Sequence, residues 1–474
     1  MSYGLYIGKN LTSDGHAWLA GYGDEPSSHW LEIIPKKKHK INSKIKVGVT
    51  KDADMPGEII KIPQISETYK HIRVSYSYYL GVPSPITNGG LNEHGVSVRD
   101  IWSTSRKELI NMTPKNQKGP NYSDLSRIVL ERAKSAREAV KIVGDLIKKY
   151  GESTYGGNSH IFADSNEAWI MIQFAGGVGL WAAEKLGPDS IRASRPGYIE
   201  EIPIKQKNNP NYLYSDNLIK FCKDKKWYSK GPFNVNKILG DGKGRWKGVQ
   251  WIEEKIKKLS KRAEKISLKD VMWAIRTPKL TGDTAGYGQI VPLLNPNFNN
   301  LRMLWYSPIG AVASTFSPVF MGQTEVPEEF MMHRYLTVGE SHRFSDERKK
   351  NIKDSISLVN QGVESTVSAV YECKRLLYLI LQNKTLFYPL VTKIFENREK
   401  KLIDETNQIL EISKTILSKN EKGLSEKILN SFSYNKLRDG LKLVQTLSKK
   451  MESHIRQTKG FDKTVKPKSF EQIW

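Results

Sequence analysis

Cysteine is nearly absent from this chain. Cys222 and Cys373 are the two present, too few for a disulfide framework and at no metal-ligand spacing. No uninterrupted apolar run approaches the ~18 residues that a membrane span needs. The opening stretch from Met1 to Asn10 has neither the basic start nor the apolar core of a secretion signal. HExxH, GxSxG and P-loop signatures are missing, and Gly240-Asp241-Gly242-Lys243-Gly244 reads as a flexible loop because no clear strand precedes it. No internal repeat is visible. After Glu340 proline occurs only at Pro389 and Pro467. Together these absences point to a soluble, cytoplasmic protein.

What is present is a large reservoir of core-forming residues. The 474 residues are 38% hydrophobic, with 11 Trp and 21 Tyr. A chain of this length has room for about three domains of ~150 residues and buries roughly three quarters of its unfolded surface. The net charge is +24, from 74 basic and 50 acidic residues. That excess is spread out, with roughly +10 after Glu340 and roughly +14 before it. RNA-binding aromatic boxes and zinc-finger spacings do not accompany it. The one dense run, Lys36-Lys37-Lys38-His39-Lys40, reads as a solvated turn.

The chain changes character near Glu340, which divides it into residues 1–340 and a helical extension with its tail, 341–474. In the first part Leu5 to Gly8 reads as a strand, with Ala17 to Gly23 as a hairpin partner turned by Ser13-Asp14-Gly15. Gly95 to Trp102 alternates like a strand, and 160–163 with 168–172 flank a turn at Asp164-Ser165-Asn166. Ser123 to Tyr150 is helical, with Ser123 as an N-cap. Ser135-Ala136-Arg137-Glu138 is a capping box and Gly151 a C-terminal cap. In the second part Leu376 to Leu381 form one helical stripe. Leu402, Ile409, Leu410, Ile412, Ile416 and Leu417 form another, and Leu424 to Leu447 continue it. The mixture is α+β, strands stacked in layers with helices outside.

Ser2 follows Met1, and a small second residue permits Met removal. A serine hydroxyl is a poor nucleophile until a base takes its proton. A free α-amine on the same residue, with a pKa of about 7.7–8.0, is such a base within covalent reach. His94 and His160 lie in polar, Gly-rich surroundings and are candidates for function beside the plainer reading as structural histidines.

Several segments carry a resemblance. Gly8-Lys9, Asp14-Gly15 and Gly21-Tyr22-Gly23-Asp24 resemble the opening of the PepD-like dipeptidases of the N-terminal nucleophile (Ntn) hydrolase superfamily. Secernins, penicillin V acylase and bile salt hydrolases are more distant relatives. Thr87 to Gly95 is similar to that family's NGGxNExG segment. Glu131-Arg132-Ala133 with Ala136 to Ala139 is similar to its ERAxxAREAV helix, and Gly157 to Asp164 with Glu167-Ala168-Trp169 to its GNSHxFADxxEAW hairpin.

The resemblance implies an αββα four-layer sandwich that hydrolyses the amide bond of a dipeptide or small acyl-amide. Ser2 would be the nucleophile and its α-amine the base. Asp24 would orient that amine, with turn chemistry in Gly23-Asp24-Glu25-Pro26 as its alternative reading. Backbone N–H groups near Val98 to Trp102 would face the oxyanion. Asn92, His94, Asp100 and His160 are the candidate substrate-binding side chains. No metal or organic cofactor, nucleic acid or membrane is called for, and homo-oligomerisation is left open.

Three departures stand out. Ser2 replaces the family's N-terminal cysteine, and Gly21 stands where relatives commonly carry Arg. No oxyanion-hole Asn can be placed in Arg192-Ala193-Ser194-Arg195. The first two support a rival reading, an inactive Ntn scaffold that binds a partner through its basic helical extension.

Overall fold

The computed structural model describes residues 2–23, 29–76, 81–83, 85–206, 208–281, 286–310, 312–332, 368–458 and 473. Its centre is two antiparallel sheets. The six-stranded sheet runs in the order Ile191–Ser194, Tyr3–Ile7, Trp18–Tyr22, Gly288–Pro292, Met303–Ser307, Ser317–Phe320. The eight-stranded sheet runs Tyr212–Tyr214, Trp181–Leu186, Ala168–Gln173, Asn158–Ala163, Ser97–Trp102, Ile86–Asn92, His71–Tyr76, His29–Ile34.

Side-chain alternation along each strand builds the layers. In Tyr3–Ile7, Leu5 and Ile7 join a buried cluster with Val249, Ile252 and Ile256 of the helix Lys247–Leu259 and Val271 and Ile275 of the helix Leu268–Arg276. Tyr6 points the other way, into the core between the sheets, with Ile101, Ile161 and Ile170 of the eight-stranded sheet. Gly4 lets the sheets approach: a Cβ there would lie 2.9 Å from Ile101 Cδ1. The outer face of the eight-stranded sheet, with Val98, Phe162 and Met171, packs on the helices Tyr122–Arg132 and Ala136–Tyr150. The order is helix, sheet, sheet, helix: a four-layer αββα sandwich, as the resemblance implied.

Local chemistry sets the element ends. Asn121, not Ser123, caps the helix Tyr122–Arg132; its side chain accepts from Ser123 N and Asp124 N, and Asp124 completes the capping box. The Ser123 hydroxyl is spent instead on Thr87 N, at 2.7 Å. Ser135 does cap Ala136–Tyr150 by accepting from Glu138 N. The reciprocal half goes astray, because Glu138 accepts from Lys134 N. Gly151 ends that helix at φ 81°, in the left-handed region that favours glycine. The Asp164 turn forms as an Asx turn, Oδ1 accepting from Asn166 N and Glu167 N. The basic run at 36–40 contains a short strand, Lys37–Lys38, paired with Glu67–Thr68, rather than a plain turn. Opposite charge favours that pairing, since Lys36 and Glu67 lie 2.8 Å apart.

Among the described residues after 368 three helices follow, Ala369–Gln382, Lys384–Ser418 and Lys422–Thr458. Leu402, Leu417 and Leu429 join the cluster beneath the six-stranded sheet. Leu437 and Leu441 reach the core between the sheets. Ile412 and Leu424 depart from the expected stripes and stand about half exposed, because a buried stripe on a long helix drifts in phase and leaves some apolar positions outside. The expected boundary at Glu340 lies outside the described residues. No described helix is long and apolar enough to cross a membrane.

Candidate active site

Strand Tyr3–Ile7 sits between Ile191–Ser194 and Trp18–Tyr22, with Gly4 opposite both Ser194 and Gly21. Ser2 therefore emerges at the end of the sheet where Ser194 and Tyr22 also terminate. It is buried, 8% exposed. Arg195 leaves the end of the neighbouring strand and closes over it. Arg195 Nη1 donates to Ser2 O at 2.7 Å and to Ser2 Oγ at 3.1 Å.

Two indoles hold that guanidinium. Its Cζ lies 4.4 Å from the Trp246 ring centre and 5.7 Å from that of Trp102, within cation–π range. Trp102 ends a strand of the eight-stranded sheet, and Trp246 caps the helix Lys247–Leu259. The second sheet and the outer helix layer thus meet at Ser2, immediately before the first strand. The strand Ile191–Ser194 is the sheet's edge, so part of its backbone needs other partners. Glu253 accepts from Ala193 N at 3.0 Å, and Arg245 donates to Ala193 O at 3.0 Å while pairing with Glu253. These bonds fix the edge from which Arg195 projects.

Gly21 faces the second sheet at close range. A Cβ at this position would lie 2.4 Å from Tyr3 O and 3.1 Å from Arg99 Nε. Arg99, fully buried on Ser97–Trp102, occupies the space where a side chain at 21 would begin. It donates to Tyr287 Oη at 2.7 Å and lies 4.9 Å from that ring. His29 stands 6.0 Å from the same ring, between centres. Burial, with Lys374 and Arg99 near, pushes its pKa down to about 3 and keeps it neutral. Gly21→Ala is expected to lower stability by about 1–3 kcal/mol, read from urea unfolding. An unchanged midpoint would mean that the Tyr3 carbonyl and Arg99 yield freely.

Of the four expected substrate-binding residues, Asn92, Asp100 and His160 lie on strands of the second sheet and His94 in the turn after Asn92; Asn92 and His160 spend their polar atoms on structural hydrogen bonds. Asn92 Nδ2 donates to Leu130 O and Ala133 O, and its Oδ1 accepts from His94 N and Val96 N. It pins the Ile86–Asn92 hairpin to a helix. His94, in the hairpin turn, packs edge-on against Tyr69 at 4.2 Å, and burial draws its pKa down. Both are at the Ser97 end of Ser97–Trp102, away from Trp102. Asp100 and His160 are cross-strand partners on the face shared with Val98 and Phe162, toward the helix Tyr122–Arg132. His160 Nε2 lies 3.1 Å from Tyr122 O and 3.2 Å from Ser126 Oγ, with Nδ1 3.1 Å from Gln173 Oε1. Burial pushes its pKa down to about 4. Asp24 lies outside the described residues.

The pairing of Ser97–Trp102 with Ile86–Asn92 runs only from Ser97↔Leu91 to Arg99↔Gly89. The side chains of Arg195, Trp102, Trp246, Arg99 and Tyr287 were not singled out from the sequence as site residues. Arg195 fell within a stretch notable only for a missing Asn, and nothing local ties it to Ser2. Among the described residues no group of three or more His, Cys, Asp or Glu could hold a metal ion.

The peptidase family C69 model matches residues 4–247, and the chain belongs to that family. It is similar to a probable dipeptidase of Latilactobacillus sakei, 22% identical over 304 residues, covering 58% of this chain and 59% of that one. A probable dipeptidase B of Streptococcus pyogenes serotype M3 is 28% identical over 246 residues, 49% of this chain and 45% of the relative. The chain thus spans roughly half the length of these curated relatives. Among solved structures, a mutant of the conjugated bile acid hydrolase from Clostridium perfringens is 13% identical, covering 69% of this chain and 94% of that one, with a TM-score of 0.31. A likeness at that score carries no weight for the site.

Proposed function

We propose that this chain hydrolyses the amide bond of dipeptides or small acyl-amides, with Ser2 as the nucleophile. The observation that supports the reading most is the placement of Ser2, buried at the meeting of both sheets with Oγ held by a guanidinium. Membership of a peptidase family and similarity to probable dipeptidases support the substrate class.

In this reading Ser2 is the first residue of the mature chain. Its α-amine accepts the Oγ proton as Oγ attacks the carbonyl carbon, and the carbonyl electrons move onto oxygen. The tetrahedral intermediate collapses, the C–N bond breaks, and the proton passes to the departing amine. An acyl ester remains on Ser2. Water, deprotonated by the same amine, then releases the acid and restores the hydroxyl. Backbone N–H groups near Val98 to Trp102 are proposed, on the family resemblance, as the donors to the oxyanion. Asp24 is proposed, on the family resemblance, to orient the α-ammonium.

An α-amine locked in a peptide bond is no base, so active protein must begin at Ser2. Intact-mass measurement of purified, active protein is expected to give a chain lacking Met1. Fully retained Met1 in protein with full peptidase activity would overturn the mechanism. Purified protein that lacks Met1 yet turns over no dipeptide would favour the inactive scaffold.

A further inference from the structure

We propose that Arg195 is a catalytic residue that makes an oxygen nucleophile workable at position 2. The proposal rests on the reading of Ser2 as nucleophile and adds to it the group that activates the hydroxyl.

The geometry is specific to the reacting atom. One guanidinium nitrogen, Nη1, donates both to Ser2 O at 2.7 Å and to Ser2 Oγ at 3.1 Å. The carbonyl bond fixes the residue's backbone, and the second bond meets the atom that must attack. Arg195 is 7% exposed, so little water screens its charge from Ser2. Trp246 at 4.4 Å and Trp102 at 5.7 Å hold the planar cation, a stacking that guanidinium suits and ammonium does not. The bonds of Arg245 and Glu253 to Ala193 brace the strand behind it. A preorganised cation of this kind needs no reorganisation as charge develops on oxygen.

The chemistry explains why such a group matters here. A hydroxyl releases its proton far less readily than a thiol. A positive charge donating a hydrogen bond favours the deprotonated form. A thiol, with a free pKa of about 8.5, reaches its reactive form with little help. The contribution of Arg195 should therefore depend on which atom residue 2 carries. Gly21 brings no side chain of its own to this region, so the cation at Ser2 arrives from the adjacent strand instead.

The test is a cycle between positions 2 and 195 in the full chain. Arg195→Met and Arg195→Lys are made in the wild type and in the Ser2→Cys background. Dipeptide kcat and KM are measured, together with the rate of labelling of residue 2 by a fluorophosphonate, read by intact mass. Arg195→Met is expected to lower kcat and the Ser2 labelling rate by about 10²–10³-fold with KM nearly unchanged, as for loss of one preorganised donor. In the Ser2→Cys background the same change is expected to lower kcat by less than about tenfold, because a thiolate needs less stabilisation. Arg195→Lys is expected to restore part of the loss. Should Arg195→Met not fold, Trp246→Leu loosens the cation without touching Ser2 and is expected to lower kcat by about tenfold, again only with serine at position 2.

Equal losses in the serine and cysteine backgrounds would overturn the proposal by making Arg195 a structural brace. A change confined to KM would overturn it by making Arg195 a substrate binder. Labelling of Ser2 that is as fast in Arg195→Met as in wild type would overturn it while leaving Ser2 the nucleophile. Wild-type protein that turns over dipeptide without labelling at Ser2 would overturn both readings.

Discussion

Ser2→Ala is expected to lower kcat/KM on a dipeptide by about a thousandfold or more, the scale on which losing a nucleophile acts. The loss should fall on kcat, since the hydroxyl forms its bond to the substrate only as the reaction proceeds. The fold should survive. Arg195 also donates to the Ser2 carbonyl, which alanine keeps, so the variant forfeits one hydrogen bond to a charged donor, about 1.5–3 kcal/mol. Ser2→Cys is expected to retain or exceed the wild-type rate, because sulfur is the more easily activated atom. Steady-state kinetics with circular dichroism as the folding control reads both. A rate unchanged in Ser2→Ala would move the chemistry to another residue.

Glu399→Ala is expected to destabilise the whole chain by about 3–5 kcal/mol. Glu399 lies on the long helix Lys384–Ser418 and pairs with Arg276 at the end of the helix Leu268–Arg276. Both side chains are 2% exposed. Glu399 also accepts from Thr315 Oγ1 at 3.0 Å and Phe316 N at 2.9 Å. Removing the carboxylate leaves a buried guanidinium and these donors without their shared acceptor. Arg276→Met combined with Glu399→Leu should recover much of the loss, since no charge then stays buried alone. Urea unfolding followed by tryptophan fluorescence measures this, and a single cooperative transition is expected. A Glu399→Ala protein that loses only a separate, early transition would make residues 341–474 an independent module, the division expected from composition. The shared clusters of Leu402, Leu429 and Leu437 with the sheets favour one cooperative unit.

Much of the fold was legible because its signals are local. Short apolar runs about the Ser13-Asp14-Gly15 turn marked Tyr3–Ile7 and Trp18–Tyr22, and alternation marked Ser97–Trp102, each to within a residue or two. Asp164 announced its turn and Gly151 its helix end, since each acts on backbone within a few residues. Where the readings slipped, a distant partner had intervened. Ser123 looked like a cap, yet its hydroxyl serves Thr87, 36 positions away. Asn92 and His160 looked chemical, yet their polar atoms satisfy buried backbone and side-chain groups of a packed helix. A short polar side chain looks the same in sequence whether it meets substrate or backbone.

The sequence by itself determined that strands alternate with helices before Glu340, that helices follow, and that Ser2 stands at the head of the first strand. These depend on spacing, capping and resemblance, all of which act along the chain. Tertiary structure alone decided what surrounds Ser2. Arg195 is 193 positions from it, Tyr287 is 188 from Arg99, and Glu399 is 123 from Arg276. Hydrophobic period says which face of an element is buried, but not which far residue it will meet. That depends on strand order and register, and those are settled by packing two sheets face to face: Gly4 and Gly21 permit the close approach, and the strand ends then bring Ser2, Arg195 and Trp102 to one place.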